Sequence, residues 1–234
     1  MLANDRKMII LEFLNQKQRA TLEELQELTE SSASTIRRDL NELEEEQRLR
    51  RIHGGAELIQ DFSDELSYFE KSTKNVQEKQ NIAKKALKKI ANGDTIYLDA
   101  GTSTGALIAE LNGLKMKVTV VTNSVTHASL LINEQIRVYI LGGLIKKSTD
   151  SVIGGQAINQ LKNYRFNVAF IGANGYDPEN GAMTPDTEEA AVKRTAILQA
   201  DSSYLLIDKS KIGQRSFVCF ASAEEIEIIT DEIY

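Results

Sequence analysis

The sequence predicts an α/β chain in two parts: a small unit of helices and a hairpin, then a domain built on a mostly parallel sheet. Three observations carry this. Residues 5–58 read helix, helix, helix and a short hairpin. From about residue 76, short apolar strands alternate with helical stretches, the pattern of a parallel sheet. The length, 234 residues, is enough to bury two separate cores.

In the first part, Thr21-Leu22-Glu23-Glu24 has a hydroxyl followed three residues later by a carboxylate, a capping box that opens a helix. That helix turns Leu22, Leu25 and Leu28 inward. A short polar turn, Glu30-Ser31-Ser32-Ala33-Ser34, follows, and Ser32 or a neighbouring serine caps the next helix. This one runs over about 34–46, with Ile36, Leu40 and Leu43 as its buried stripe. On the wheel, Ser34, Arg37, Arg38 and Asn41 fall away from that stripe, with Thr35 beside them. Hydroxyl, amide and guanidinium groups on one exposed helical face suit phosphates and base edges in a major groove. Leu49-Arg50-Arg51-Ile52-His53-Gly54-Gly55-Ala56 then alternates and turns at two glycines, as a β-wing does. Residues 1–58 therefore read as a winged helix-turn-helix. The expected DNA-contacting set is Thr21, Ser34, Thr35, Arg37, Arg38, Asn41, Arg50, Arg51 and His53.

Segment 59–75 is polar with scattered apolar residues, among them Phe62, and reads as a linker. Residues 76–234 form the α/β domain. Helices are expected over 76–91, 105–111, 124–133, 153–161 and 187–200. Strands are expected over 95–98, 117–121, 138–141, 168–171 and 203–207, with a last one over 227–230. Polar or glycine-rich turns follow five of these strands. Asp99-Ala100-Gly101-Thr102-Ser103-Thr104-Gly105 opens a helix with small and hydroxyl residues, which suits a phosphate, although a tight turn without ligand has the same composition. It is neither a P-loop nor a dinucleotide fingerprint. Thr122-Asn123-Ser124, Leu141-Gly142-Gly143, Gly172-Ala173-Asn174-Gly175 and Asp208-Lys209-Ser210-Lys211 end the other strands. Ligands of open α/β sheets bind at that edge. Glu189 and Lys193, four apart on a helix, either pair with each other or line the pocket.

Composition narrows the function. Hydrophobic residues make up 41% and charged residues 26%, ordinary for a soluble domain. No apolar run approaches the ~20 residues of a membrane span, and no secretory signal is evident. One cysteine, Cys219, excludes an internal disulfide and a multi-cysteine metal site, as suits a reducing cytoplasm. It reads as a small buried strand residue. No cofactor and no metal are expected. The net charge of −6 argues mildly against nucleic acid, but a reader of DNA needs only local positive charge.

Thr21-Leu22-Glu23-Glu24-Leu25, the stretch from Ser34 to Glu44 and His53-Gly54-Gly55-Ala56 closely resemble the DeoR-type regulators. The turns of the second part, and Glu188-Glu189-Ala190-Ala191-Val192-Lys193, resemble that family's effector domain. The resemblance covers nearly the whole chain. It implies a ribose-5-phosphate-isomerase-like C-terminal domain that binds a phosphorylated sugar. It implies that the helix bearing Thr35-Ile36-Arg37-Arg38-Asp39-Leu40 is the recognition helix. It also implies that Gly101 to Thr104 hold phosphate while Asn123, Asn174 and Lys211 line the pocket. The expected effector-binding set is Asp99, Gly101, Thr102, Ser103, Thr104, Asn123, Gly142, Gly143, Asn174, Gly175, Glu189, Lys209 and Lys211. Leu66-Ser67-Tyr68-Phe69-Glu70-Lys71-Ser72 resembles members controlling fructose phosphotransferase genes, which makes fructose 1-phosphate the first effector to test. Tagatose 6-phosphate and glycerol 3-phosphate are sister possibilities.

The expected function is a cytoplasmic, non-enzymatic repressor of a sugar-utilisation operon, released from double-stranded operator DNA by a phosphorylated sugar. Paired half-sites imply a homo-oligomer, dimer or tetramer. The alternatives are an activator, or a sugar-phosphate isomerase-like enzyme with Asp99, Glu188 or Glu189 as base and an appended DNA-binding domain.

Overall fold

The computed structural model describes residues 2–59 and 65–231. Phe62 of the expected linker and the last three positions of the expected second domain lie outside the described residues. The chain divides into two compact units, Met1–Asp61 and Phe62–Tyr234.

The first unit comprises α1 (Ala3–Lys17), β1 (Arg19–Thr21), α2 (Leu22–Thr29), α3 (Ala33–Glu45), β2 (Leu49–Ile52) and β3 (Gly55–Leu58). The capping box at Thr21 forms in full: its hydroxyl accepts from the Glu24 amide and the Glu24 carboxylate accepts from the Thr21 amide. Ser32 caps α3 by accepting from the Thr35 amide at 3.3 Å. Ile36, Leu40 and Leu43 are buried against Ile10, Leu14 and Leu25, each stabilising the unit by roughly 1.5–3 kcal/mol. Sequence patterning did not foresee β1. It pairs with β3 in a sheet ordered β1-β3-β2 and so ties the wing to the body. The close approach explains Gly55, where a Cβ would collide with the Ala20 carbonyl. Gly54 takes φ +80° in the turn, a conformation that costs glycine nothing.

The second unit runs α4 (Tyr68–Ser72), α5 (Val76–Leu87), β4 (Thr95–Leu98), α6 (Thr102–Gly105), α7 (Leu107–Asn112), β5 (Val118–Thr122), α8 (Val125–Leu130) and β6 (Ile136–Ile140). It continues with β7 (Leu144–Lys146), β8 (Ser151–Ile153), α9 (Gly155–Leu161), β9 (Phe166–Ile171), β10 (Gly175–Asp177), β11 (Gly181–Thr184) and α10 (Thr187–Leu198). Then come β12 (Ala200–Leu206), a 3₁₀ turn (Lys209–Lys211), β13 (Val218–Ala221) and β14 (Glu227–Ile229). Six strands form one all-parallel sheet in the order β14-β12-β9-β4-β5-β6. Alternate strand residues feed two cores. Ile96, Leu98, Val120 and Phe170 pack toward α5 and α7. Tyr97, Val121, Ala169 and Ile171 pack with residues of α9 and α10. Helices therefore cover both faces, as a buried parallel sheet requires.

Four expectations need correction. The linker expected over 59–75 ends earlier, because Ser67 caps α4 with its own capping box and the Tyr68 amide bonds the Ser148 carbonyl. The helix expected over 153–161 starts at Gly155, since Ser151–Ile153 pair with β7 as a hairpin. A small antiparallel sheet, β10-β11-β13, lies outside the expected pattern. Cys219 sits in β13 but is exposed, because it lines an open cleft between that short strand and α10.

Candidate functional site

Two sites emerge, one in each unit. On α3, Ser34, Arg37, Arg38 and Asn41 are exposed along the face opposite the buried stripe, and Thr35 is half-buried. Arg37 makes no ion pair among the described residues, and Arg38 lies 4.0 Å from Glu42. The wing is attached to this face, because the Arg51 guanidinium donates to the Asn41 side-chain oxygen and the Arg51 amide donates to Glu44 at 2.8 Å. His53 is exposed at the wing tip. Arg50 is less available than expected. Glu57, directly across the strand pair, accepts from its Nε at 2.6 Å and also pairs with Arg19. Thr21 is occupied as a helix cap. An unforeseen pair sets the pose of α3. Asp39, with no exposed surface, accepts from Nε and, at 3.1 Å, from the terminal nitrogen of Arg6 on α1. A bidentate pair fixes rotation as well as distance.

The second site lies at the carboxyl edge of the parallel sheet. Gly101 is extended, and Thr102 and Ser103 are partly exposed at the start of α6. The first amides of a helix have no intrahelical acceptor. Behind this loop, Asp99 accepts from the Gly172 amide at 3.0 Å and from Lys193, whose ammonium also donates to the Gly172 carbonyl. Burial raises the Asp99 pKa, with the Lys193 charge opposing it. Beside it, Glu189 accepts from Thr149 at 2.5 Å and Ser151 at 3.0 Å, and lies 3.2 Å from the Lys146 ammonium. Burial alone would raise the Glu189 pKa; Lys193, Thr149 and Lys146 outweigh it and hold it below the usual value. Lys146 also bonds Glu65 at 2.6 Å and Asp186 at 2.9 Å. Burial opposes its charge, but the hydrogen bonds to Glu65 and Asp186 prevail and raise its pKa. Asn174 donates to Glu65 at 3.4 Å.

This geometry changes several expected roles. Glu189 and Lys193 do not form a direct ion pair, because each takes a partner from another strand end. Thr104 is buried and donates to the Asp99 and Gly101 carbonyls, so it shapes the loop rather than facing a ligand. Asn123 is equally committed, accepting from the Ala100 amide and donating to the Val152 carbonyl. The Gly142 amide bonds Gln160, and a Cβ on Gly143 would meet the Ile153 carbonyl at 2.8 Å, so both glycines serve local packing. At Gly175 a Cβ would collide with the Gln214 carbonyl. Lys209 is exposed, whereas burial lowers the pKa of Lys211 beside Asp208. Sequence reasoning missed Glu65, Lys146, Thr149 and Ser151. It also missed His127, which is fully buried beside Gly105 and Tyr68. Burial lowers its pKa to about 4, partly opposed by Asp150.

A winged helix with an exposed polar and cationic face on α3, in a chain whose second unit is a parallel sheet with a polar carboxyl edge, defines a DNA-binding regulator with a sensor domain. The DeoR-like helix-turn-helix domain matches residues 6–62 and the DeoR C-terminal sensor domain matches residues 74–232. The chain belongs to the DeoR family of transcription regulators. It is similar to a protein of Bacillus subtilis (strain 168) named as the uncharacterized HTH-type transcriptional regulator FruR, with 43% identity over 99% of this chain and 92% of that one. The lactose phosphotransferase system repressor of Staphylococcus epidermidis is 37% identical over 97% of this chain and 91% of its own. HTH-type transcriptional regulator GlpR of Haloferax volcanii is 36% identical over 99% and 91%. These relatives are named as regulators and repressors, and the chain is a regulator rather than an enzyme. Among solved structures, eIF2B delta from Chaetomium thermophilum superposes with a TM-score of 0.52 at 16% identity, over 71% of this chain and 60% of that one. Ribose 5-phosphate isomerase A from Methanocaldococcus jannaschii gives 0.45 at 20% identity, over 59% and 55%. No described helix is long and apolar enough to cross a membrane.

Proposed function

We propose that this chain is a cytoplasmic repressor of a sugar-utilisation operon that leaves its operator when a phosphorylated sugar binds the second unit. The carrying observation is the carboxyl edge of the sheet, where the start of α6 at Gly101–Ser103 adjoins a buried carboxylate–lysine pair, Asp99 with Lys193, and a half-buried one, Glu189 with Lys146. Helix-start amides accept a phosphate, while carboxylates and ammoniums in one pocket accept from and donate to sugar hydroxyls. On this reading Asp99, Asn174, Glu189, Lys193 and the loop 101–103 bind effector, and Ser34, Thr35, Arg37, Arg38, Asn41, Arg51 and His53 contact DNA. The module 1–58 carries nine basic and twelve acidic residues, so a single copy binds weakly and a homo-oligomer reads two half-sites. Fructose 1-phosphate is the first effector to test, on the strength of residues 66–72. The test is operator retention in a gel with fructose 1-phosphate, tagatose 6-phosphate or glycerol 3-phosphate added. Release by one of them supports the proposal, and indifference to all three sinks its effector half.

A further inference from the structure

We infer that residues 65–75 are a strap across the ligand pocket, and that the Glu65 carboxylate is a tethered anion with which the effector competes. The inference rests on the effector reading above. Glu65 is bound by Lys146 at 2.6 Å, Lys71 at 3.0 Å and Asn174 at 3.4 Å, with its side chain only 11% exposed. Two ammoniums and an amide around an oxyanion are the donors that an anionic ligand seeks. Lys146 is the same group that meets Glu189 and Asp186, so the strap is bonded directly to the pocket wall.

The rest of the segment is laid over the same edge. The Tyr68 amide bonds the Ser148 carbonyl at 2.7 Å. The Tyr68 hydroxyl lies 3.2 Å from where a Cβ on Gly105, at the end of α6, would sit. Lys79 donates to the carbonyls of Lys71 and, at 2.6 Å, Lys74. Asn75 donates to Asp208 at 3.0 Å, past the end of β12. In sequence the strap lies between the DNA-binding unit and the body of the sensor. Lys146 already faces three carboxylates, so a ligand oxygen that takes it must displace one of them. Glu65 is the one carried on the connecting segment; Asp186 caps α10, and Glu189 is held by two hydroxyls.

The test uses the full chain, its Glu65→Gln and Glu65→Ala variants, calorimetric titration and amide hydrogen exchange. The titrants are fructose 1-phosphate, tagatose 6-phosphate, glycerol 3-phosphate and inorganic phosphate. Both variants are expected to bind the active sugar phosphate about tenfold more tightly, since the competing state is lost. The Tyr68 amide is expected to exchange faster in both variants, and in the wild-type chain once ligand is added. Wild-type binding with unchanged affinity in the variants, or with Tyr68 protection unchanged in variant and complex, overturns the strap and leaves the effector reading standing. Absence of binding to all three sugar phosphates overturns the effector reading and the strap with it.

Discussion

Removing Asp39 tests whether one buried pair sets the recognition helix. Asp39→Ala leaves Arg6, whose side chain is 8% exposed, with no carboxylate partner among the described residues other than the field of Glu42. Breaking a buried pair from one side typically costs 3–5 kcal/mol, mostly through the abandoned charge. In so small a unit Arg6 lies close to water, so the low end applies, about 3 kcal/mol. At 0.05–0.15 kcal/mol per residue, a 61-residue unit holds about 3–9 kcal/mol in total. The variant is therefore expected to lose at least a third of that unit's stability while the sensor unit keeps its own. Calorimetry should show one transition moved down steeply and the other unmoved, with operator binding lost and effector binding retained. The double variant Arg6→Met, Asp39→Leu should recover the transition, because apolar residues of similar volume replace such pairs at little cost. A first transition within a degree or two of wild type in Asp39→Ala would refute the reasoning.

Two further outcomes follow from single side chains. Arg38→Ala, at the exposed face of α3, should weaken operator binding by about 1–3 kcal/mol per half-site and leave effector titrations unchanged; unaltered operator affinity in a gel shift would mean that the reading face is wrong. His127 is held neutral, its pKa moved from 6.5 to about 4, so the unfolded chain takes up its proton first as pH falls. Sensor stability is then full above pH 6.5 and declines by about 3 kcal/mol as pH falls toward 4; denaturant titrations of the wild type and His127→Asn should diverge in that window, and parallel curves would refute it.

The parts of this molecule that were legible in the sequence are those with enough residues to show a period. The stripe Ile36–Leu40–Leu43 and the main parallel strands belong here. Three-residue strands such as β1, β7 and β8 show too little alternation to register. Asp39 left a signal that went unread, a charged residue three positions from Ile36 and so on the apolar side of the helix. The pocket was legible only as a set of turns. Which turn residues face a ligand depends on partners far along the chain: Thr104 and Asn123 have suitable chemistry, but their capacity is taken by backbone groups. Glu65 and Lys146 are 81 residues apart, and no local pattern joins them.

The Arg50–Glu57 pairing on the wing has a bearing on how such a protein finds its site. A DNA reader whose wing cation is already matched by its own carboxylate, in a module of net acidic charge, releases few counterions on binding. Its grip on arbitrary sequence is correspondingly slight and its affinity changes little with salt. On the proposed reading, search along random DNA is then dominated by brief visits rather than long slides, and most of the residence time is spent where the base edges match Arg37, Arg38 and Asn41.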